Sequence, residues 1–251
     1  MKISIITLFP KMLSGFFEES IIKRAQQKGL VDIELVDLRD YTHDAHRTVD
    51  DRPYGGGAGM VMRVEPVDEA LTDITKKSST KKVLCMSAKG TPFDQNKAWE
   101  LAKEEHLVIL VGHYEGYDER IMPLVDEELS LGDFVLTGGE IAAAAVTDAV
   151  VRLIPGVLKK DDATAHESFF MVNVSDLIKL VGKTEILEAL VAANRQEVAL
   201  LEYPHYTRPE VYKDQPVPEI LLSGHHKQIE EWRMIKAYEE TLAKRPDLLK
   251  P

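Results

Sequence analysis

Ile3–Val36 reads I-S-I-I-T-L-F-P-K-M-L-S-G-F-F-E-E-S-I-I-K-R-A-Q-Q-K-G-L-V-D-I-E-L-V. Its opening, Ile3–Phe9, is a short apolar run suited to a buried strand. Pro10, whose missing N–H costs nothing in a first helical turn, opens a helix. Leu13, Phe16, Phe17, Ile21 and Ala25 recur along it at helical spacing, and it ends near Gly29. Val31–Val36 alternates apolar and acidic residues, the period of a strand with one wet face. The alternation continues outward. Val67–Lys76 reads as a helix, Lys82–Ser87 as a strand and Asp94–Glu104 as a helix. Leu107–Val111 is a wholly apolar strand, and Glu128–Leu136 reads as short strands interrupted by Gly132-Asp133. An Ala-rich helix, Glu140–Ile154, is stopped by Pro155-Gly156. Strands that are apolar on both faces and alternate with helices predict an α/β fold, a parallel sheet with helices on both faces.

The C-terminal part has another texture. Ser175–Ala199 and His225–Lys244 are helical patterns without strands, and Leu200–Ser223 is a Pro-punctuated connection. The expected organisation is an α/β domain over 1–158, a linker over 159–199 and a small all-helical domain over 200–251.

The 251 residues suffice to bury a core without staples, and 44% hydrophobic with 29% charged content is that of a globular protein. One cysteine, Cys85, excludes an intramolecular disulfide and a Cys-based zinc cluster. The longest apolar run, Ile141–Val146, is far too short for a membrane span. Pro10 breaks the N-terminal apolar run too early for a signal peptide. A cytoplasmic location is expected, with no membrane partner. The net charge of −11 argues against nucleic acid in bulk. However, carboxylates concentrate in Ala98–Glu140, opposed only by Lys103 and Arg120, which leaves room for basic patches elsewhere.

Several common chemistries fail on spacing. Gly55–Gly59 is neither G-x-G-x-x-G nor directly preceded by a strand, so the dinucleotide fingerprint is absent. Val181-Gly182-Lys183-Thr184 ends like a phosphate loop, but Leu177 stands where its first glycine belongs. Neither H-E-x-x-H nor G-x-S-x-G occurs. His43, Asp44 and His46 could ligate a metal or form a polar, RNA-facing surface. Three strings are less generic. Asp37–Gly59 is a polar segment too long for a plain connection, and such loops are usually functional or disordered. Gly112–Arg120 and Leu131–Glu140 each follow a strand, where open α/β sheets bind ligands. Residue chemistry alone reaches a ligand site between two Gly-bearing turns.

The strings, taken in order, are L-F-P at Leu8–Pro10, T-H-D-A-H-R-T-V-D-D-R-P-Y-G-G-G at Thr42–Gly57 and G-H-Y-E-G-Y-D-E-R at Gly112–Arg120. G-D-F-V-L-T-G-G-E follows at Gly132–Glu140, then R-L-I-P-G-V-L at Arg152–Leu158. P-H-Y-T-R-P-E at Pro204–Glu210 and L-L-S-G-H-H at Leu221–His226 complete the series. Together they resemble the bacterial tRNA (guanine-N1)-methyltransferase (TrmD) family of the SPOUT superfamily. Any one of the strings is weak, but seven in family order span nearly the whole chain.

The resemblance implies a deep trefoil knot in the α/β domain, with S-adenosylmethionine (AdoMet) bound in its loops. It implies a homodimer with a shared active site, the α/β domain of one subunit holding AdoMet and the C-terminal domain of the other gripping tRNA. The substrate implied is guanosine 37, next to the anticodon and preceded by guanosine 36, giving N1-methylguanosine. An RNA-binding protein of this fold with impaired catalysis is the alternative. By position, the catalytic pair is Arg152 and Glu167, the latter where the family has aspartate. The cofactor contacts implied are Cys85, Met86, Ser87, Gly112, Tyr114, Glu115, Gly116, Leu131, Gly132, Asp133, Phe134, Val135, Leu136, Gly138 and Gly139. Glu115 also falls where the family holds the target guanine. Further RNA contacts implied are Asp50, Arg52, Gly55, Gly56, Gly57, His205, Arg208 and Arg233. Similar enzymes require Mg2+, for which the sequence offers no all-carboxylate cage.

The chain departs from the family between Ser168-Phe169 and Leu200-Leu201, where 30 residues stand in place of a few. Leu177, Ile178, Leu180 and Val181, then Ile186, Leu187, Leu190 and Val191, make an amphipathic stripe, with Gly182 separating two helices. The segment is either an embellishment packed on the C-terminal domain or a lid or dimer contact.

Overall fold

Ile3, Ile5 and Ile6 are fully buried, and the strand that carries them lies second in a five-stranded parallel sheet. The computed structural model describes residues 1–76, 80–159 and 167–251. Its elements run β1 (Lys2–Thr7), α1 (Pro10–Phe17), α2 (Ser20–Gln27), β2 (Asp32–Asp37), β3 (Asp50–Asp51) and β4 (Val61–Met62). They continue with α3 (Val64–Lys76), β5 (Lys82–Pro92), α4 (Gln95–Leu101), β6 (His106–Val111), β7 (Glu127–Ser130) and α5 (Glu140–Val151). The chain divides into two compact units, Met1–Asp161 and Asp162–Pro251.

The sheet order in the first unit is β2-β1-β6-β5-β7, every pairing parallel. The central strand β6 is buried along its length. Its side chains divide by the strand period of two: Leu107, Ile109 and Val111 join one core with Leu13, Phe17, Ile22 and the alanines of α5. Val108 and Leu110 join the other, with Val67, Ala70 and Leu71 of α3. Helices therefore cover both faces, as the apolar runs required.

Two local differences from the sequence reading have physical causes. The helix expected from Pro10 to Gly29 is two helices, because Glu19 is extended and Ser20 takes φ +52. The break re-phases the apolar stripe, so that Ile22 rather than Ile21 is the buried one. Strand β5 runs past Ser87 to Pro92, with a register shift against β7 between Met86 and Thr91.

The second unit is not all-helical. It contains β8 (Phe170–Asn173), α6 (Val174–Val181), α7 (Glu185–Ala192) and β9 (Glu197–Leu200). A small hairpin follows, β10 (Val211–Tyr212) and β11 (Gln215–Pro216), then α8 (Glu219–Leu222) and α9 (His226–Lys244). The expected helices on either side of Gly182 are present, but the residues flanking them pair as antiparallel strands, Phe170 opposite Leu200. Local pattern missed β8 and β9 because each is only four residues long and its partner is distant in sequence. Phe170, Val172, Val174, Leu177, Leu187, Leu190, Val198 and Leu200 form one core with Ala237, Tyr238 and Leu249. Residues read as linker thus supply most of this unit's interior. The hydroxyls of Thr184 and Tyr238 lie 3.1 Å apart, and Leu201 N donates to Thr241 Oγ1 at 2.8 Å, which ties this segment to α9.

Candidate functional site

The register shift in β5 opens a cavity of about 300 Å³ among Met86–Lys89, the turn after β6 and the loop after β7. That volume lies at the lower end for small-molecule sites. Backbone bonds clasp the turn and the loop. Gly139 N donates to Gly112 O at 2.9 Å, and His113 bridges Gly138. A buried carboxylate locks them. Glu140, 2% exposed at the start of α5, accepts from Thr7 Oγ1 at 2.7 Å and from His113 Nε2 at 2.7 Å. Phe9 packs edge-on against the His113 ring at 4.7 Å. A buried carboxylate is tolerable only when hydrogen-bonded and paired, and here that requirement joins the ends of β1 and β6 to the start of α5.

The turn after β6 is held from below and from the side. The Tyr117 hydroxyl lies within donating reach of two carbonyl oxygens, Met86 O at 3.1 Å and Leu110 O at 3.2 Å, and burial raises its pKa well above the usual phenol value. Asp118 accepts from the backbone and guanidinium of Arg120, which hold its carboxyl down at about 2. On the outer side Met62 N donates to Gly116 O and Asp118 N to Met62 O. These bonds dock the hairpin β3–β4, whose tip is the Arg52–Met60 loop, onto the cavity turn. At Gly59 the approach is so close that a Cβ would overlap the Glu115 carboxylate. Glu115 therefore touches both the cavity and the glycine loop. Before the hairpin, the Asp44 carboxylate accepts from His46 N, Thr48 N and Thr48 Oγ1, bonds that lower its pKa. His43 pairs with Glu69 at 2.8 Å.

Most of the expected cofactor residues meet here. Met86, Ser87, Gly112, Tyr114, Glu115, Gly116, Leu131, Gly132, Phe134, Val135, Leu136, Gly138 and Gly139 line the cavity. Cys85 and Asp133 do not. Cys85 is fully buried beneath the site, where burial pushes its thiol up to about 12, and Asp133 is exposed. The lining fits AdoMet, the cofactor that the resemblance implies. Leu129, Leu131, Phe134 and Leu136 offer apolar surface to an aromatic base, and Glu115, Glu119 and Glu128 outnumber Lys89. An acidic lining favours a cationic ligand and disfavours a polyphosphate.

The remaining expected residues are distributed along the chain. Asp50 pairs with Met62 in the hairpin; Arg52, Gly56 and Gly57 line a second concavity at its tip, and Gly55 lies between them in sequence. Arg152 caps the C-terminus of α5 in the first unit, and Glu167 opens the described part of the second. Asp161 and Asp162, the carboxylates preceding Glu167 in the sequence, lie outside the described residues. In the second unit Arg233 stacks over Tyr203 at 4.8 Å, with His205 packed against the same ring at 4.8 Å. Tyr206 lies 6.5 Å from Trp232, and Arg208 is exposed. Among the described residues Arg233 Nε is buried with no acceptor. Aromatic and basic side chains gathered in this way suit RNA. Sequence reading singled out His205, Arg208 and Arg233 but not the tyrosines and tryptophan beside them. It also missed the Thr7–Glu140–His113 set, whose three residues lie in separate segments of the chain. Among the described residues no group of three or more His, Cys, Asp or Glu could hold a metal ion. No described helix is long and apolar enough to cross a membrane.

Residues 1–251 match the family model described as tRNA (Guanine-1)-methyltransferase TrmD. A tRNA (guanine-N(1)-)-methyltransferase of Shouchella clausii (strain KSM-K16) is 47% identical over 251 residues, covering 100% of this chain and 92% of its own. Proteins of the same name from Bacillus cereus (strain AH820) and Bacillus anthracis (strain CDC 684 / NRRL 3495) are each 47% identical, over 99% of this chain and 92% of theirs.

Proposed function

Because this chain belongs to the TrmD family of tRNA (guanine-1)-methyltransferases, we propose that it methylates N1 of guanosine 37 in tRNA, with AdoMet as donor. The observation that carries the reading is the convergence of the Gly112–Arg120 and Gly132–Glu140 strings on one acidic cavity at the end of a parallel sheet. The same turn bears Glu115, which reaches the glycine loop.

The reaction has one difficulty that the protein must solve. Guanine N1 carries a proton and is a poor nucleophile at neutral pH. Bound AdoMet supplies an electrophilic methyl group on a sulfonium. We assign Glu167 to accept the N1 proton and Arg152 to donate to O6, where negative charge grows as that proton leaves. Transfer of that methyl to N1 would break its bond to sulfur and release a neutral thioether, while the Glu167 carboxylate keeps the N1 proton. We assign Glu115, on the turn after β6, to hold the guanine. Asp50, Arg52 and the glycine loop, with His205, Arg208 and Arg233, are assigned to the RNA. A homodimer with knotted cofactor loops belongs to the same reading, as does Mg2+, whose contribution an EDTA titration of activity measures.

Mass spectrometry of unmodified tRNA incubated with protein and AdoMet tests the proposal. N1-methylguanosine should form in tRNAs bearing guanosine at 36 and 37, and not when guanosine 37 is replaced. Binding without transfer would overturn it in favour of an impaired RNA-binding protein.

A further inference from the structure

Among the described residues Tyr54 is the most exposed of the large hydrophobic side chains, at 102% relative exposure. It sits at the corner of a tight turn closed by Gly56 N donating to Pro53 O at 3.3 Å. Gly55, the next residue in that turn, takes φ +85, a conformation that favours glycine and fixes the turn's shape. The turn is the tip of the β3–β4 hairpin, whose base is hydrogen-bonded to the cavity turn at Gly116 and Asp118. The aromatic ring is thus held out from a hairpin whose base is anchored to the proposed reaction site. Two residues away is the exposed Arg52, which forms no ion pair among the described residues.

A ring this exposed contributes little to the protein's own stability. A ring presented alone, beside an unpaired guanidinium and on a stem of glycines, has little apolar surface around it to offer a protein partner. It does offer a flat π-face, which is what an unstacked base in a single-stranded loop requires. We propose that Tyr54 is a base-stacking residue that holds an anticodon-loop nucleotide adjoining the methylated guanosine, with Arg52 on the neighbouring phosphate. This inference rests on the tRNA reading above and adds to it the residue that keeps the loop open.

The test compares Tyr54→Ala, Tyr54→Leu, Tyr54→Phe and Tyr54→Trp in the full-length protein with an unmodified tRNA transcript. Stacking on one aromatic side chain predicts that Ala and Leu raise the tRNA Kd about tenfold or more, while Phe and Trp stay near wild type. AdoMet affinity and oligomeric state should be unchanged in all four. The additional emission of Tyr54→Trp, relative to wild type, should be quenched by tRNA and not by AdoMet. Equal tRNA affinity across the series would overturn the proposal. Rescue by Leu as complete as by Phe would also overturn it, because it would indicate apolar contact without stacking. A changed sedimentation coefficient in Tyr54→Ala would assign the ring to a protein interface. Failure of the underlying reading is distinguishable, since the unsubstituted protein would then make no N1-methylguanosine.

Discussion

Removing Met171–Ala199 and joining Phe170 to Leu200 tests whether this segment is a lid or the interior of the second unit. The ends are already paired across the β8–β9 ladder, so the cut leaves the flanking chain almost where it was. The deletion removes Val172, Val174, Leu177, Leu187, Leu190 and Val198, six buried side chains, from the core around Ala237, Tyr238 and Leu249. At about 2 kcal/mol for each buried aliphatic side chain, the loss is on the order of 10 kcal/mol, comparable with the whole stability of an ordinary domain. Helix α9, which carries Trp232 and Arg233, should therefore lose its support. Hydrogen exchange should show α9 unprotected while the β1–β6 amides stay protected. AdoMet binding by calorimetry should persist, and tRNA methylation should fall by a hundredfold or more. A gentler variant checks the same arithmetic: Leu187→Ala, at a fully buried site, should cost about 3 kcal/mol in urea unfolding of the second unit. A deletion variant with α9 still protected and single-turnover methylation within a few-fold of wild type would refute the reasoning.

Three further predictions concern the first unit and the proposed chemistry. Glu167→Gln keeps the size of the side chain but cannot accept the N1 proton, so single-turnover methylation should fall by roughly 10²–10⁴ with AdoMet affinity unchanged; a near-wild-type rate would remove Glu167 as the base. Glu140→Ala leaves Thr7 and His113 without their shared acceptor, so calorimetry should show AdoMet binding weakened at least tenfold, and unchanged affinity would deny this set any hold on the cavity. His106 is buried, with Nε2 3.0 Å from Ser4 Oγ and no partner for Nδ1 among the described residues; burial first, then Lys2, lowers its pKa, against the opposing pull of Glu34 and Asp32. The unfolded state therefore takes up this proton first, so the contribution of His106 is present above the ordinary histidine pKa of about 6.5 and is lost as pH falls toward the lower folded value. Urea unfolding of His106→Asn should show a shallower loss of stability between pH 7 and 5 than wild type, and parallel curves would count against the assignment.

Features that repeat within a few residues were legible from the amino-acid order alone. Leu107–Val111 is apolar at every position, and a strand with no polar face must be covered on both sides, which already implies a parallel sheet between helix layers. The helices on either side of Gly182 follow from their apolar stripe, and the ordered strings mark both cavity loops. Tertiary structure decided what depends on residues distant in the chain. Met86 meets Gly112 and Leu136 in one cavity only because β5 shifts register against β7. Glu140 finds Thr7, 133 residues away, and His113, 27 away. The strand Glu197–Leu200 exists because Phe170–Asn173 lies beside it, and the linker residues became a core because α9 folds against them. Likewise the exposure that sets Tyr54 apart from the other tyrosines is a property of the folded chain. A periodic pattern records which face of an element must leave water, but the partner that covers that face is selected by the packing of the whole chain.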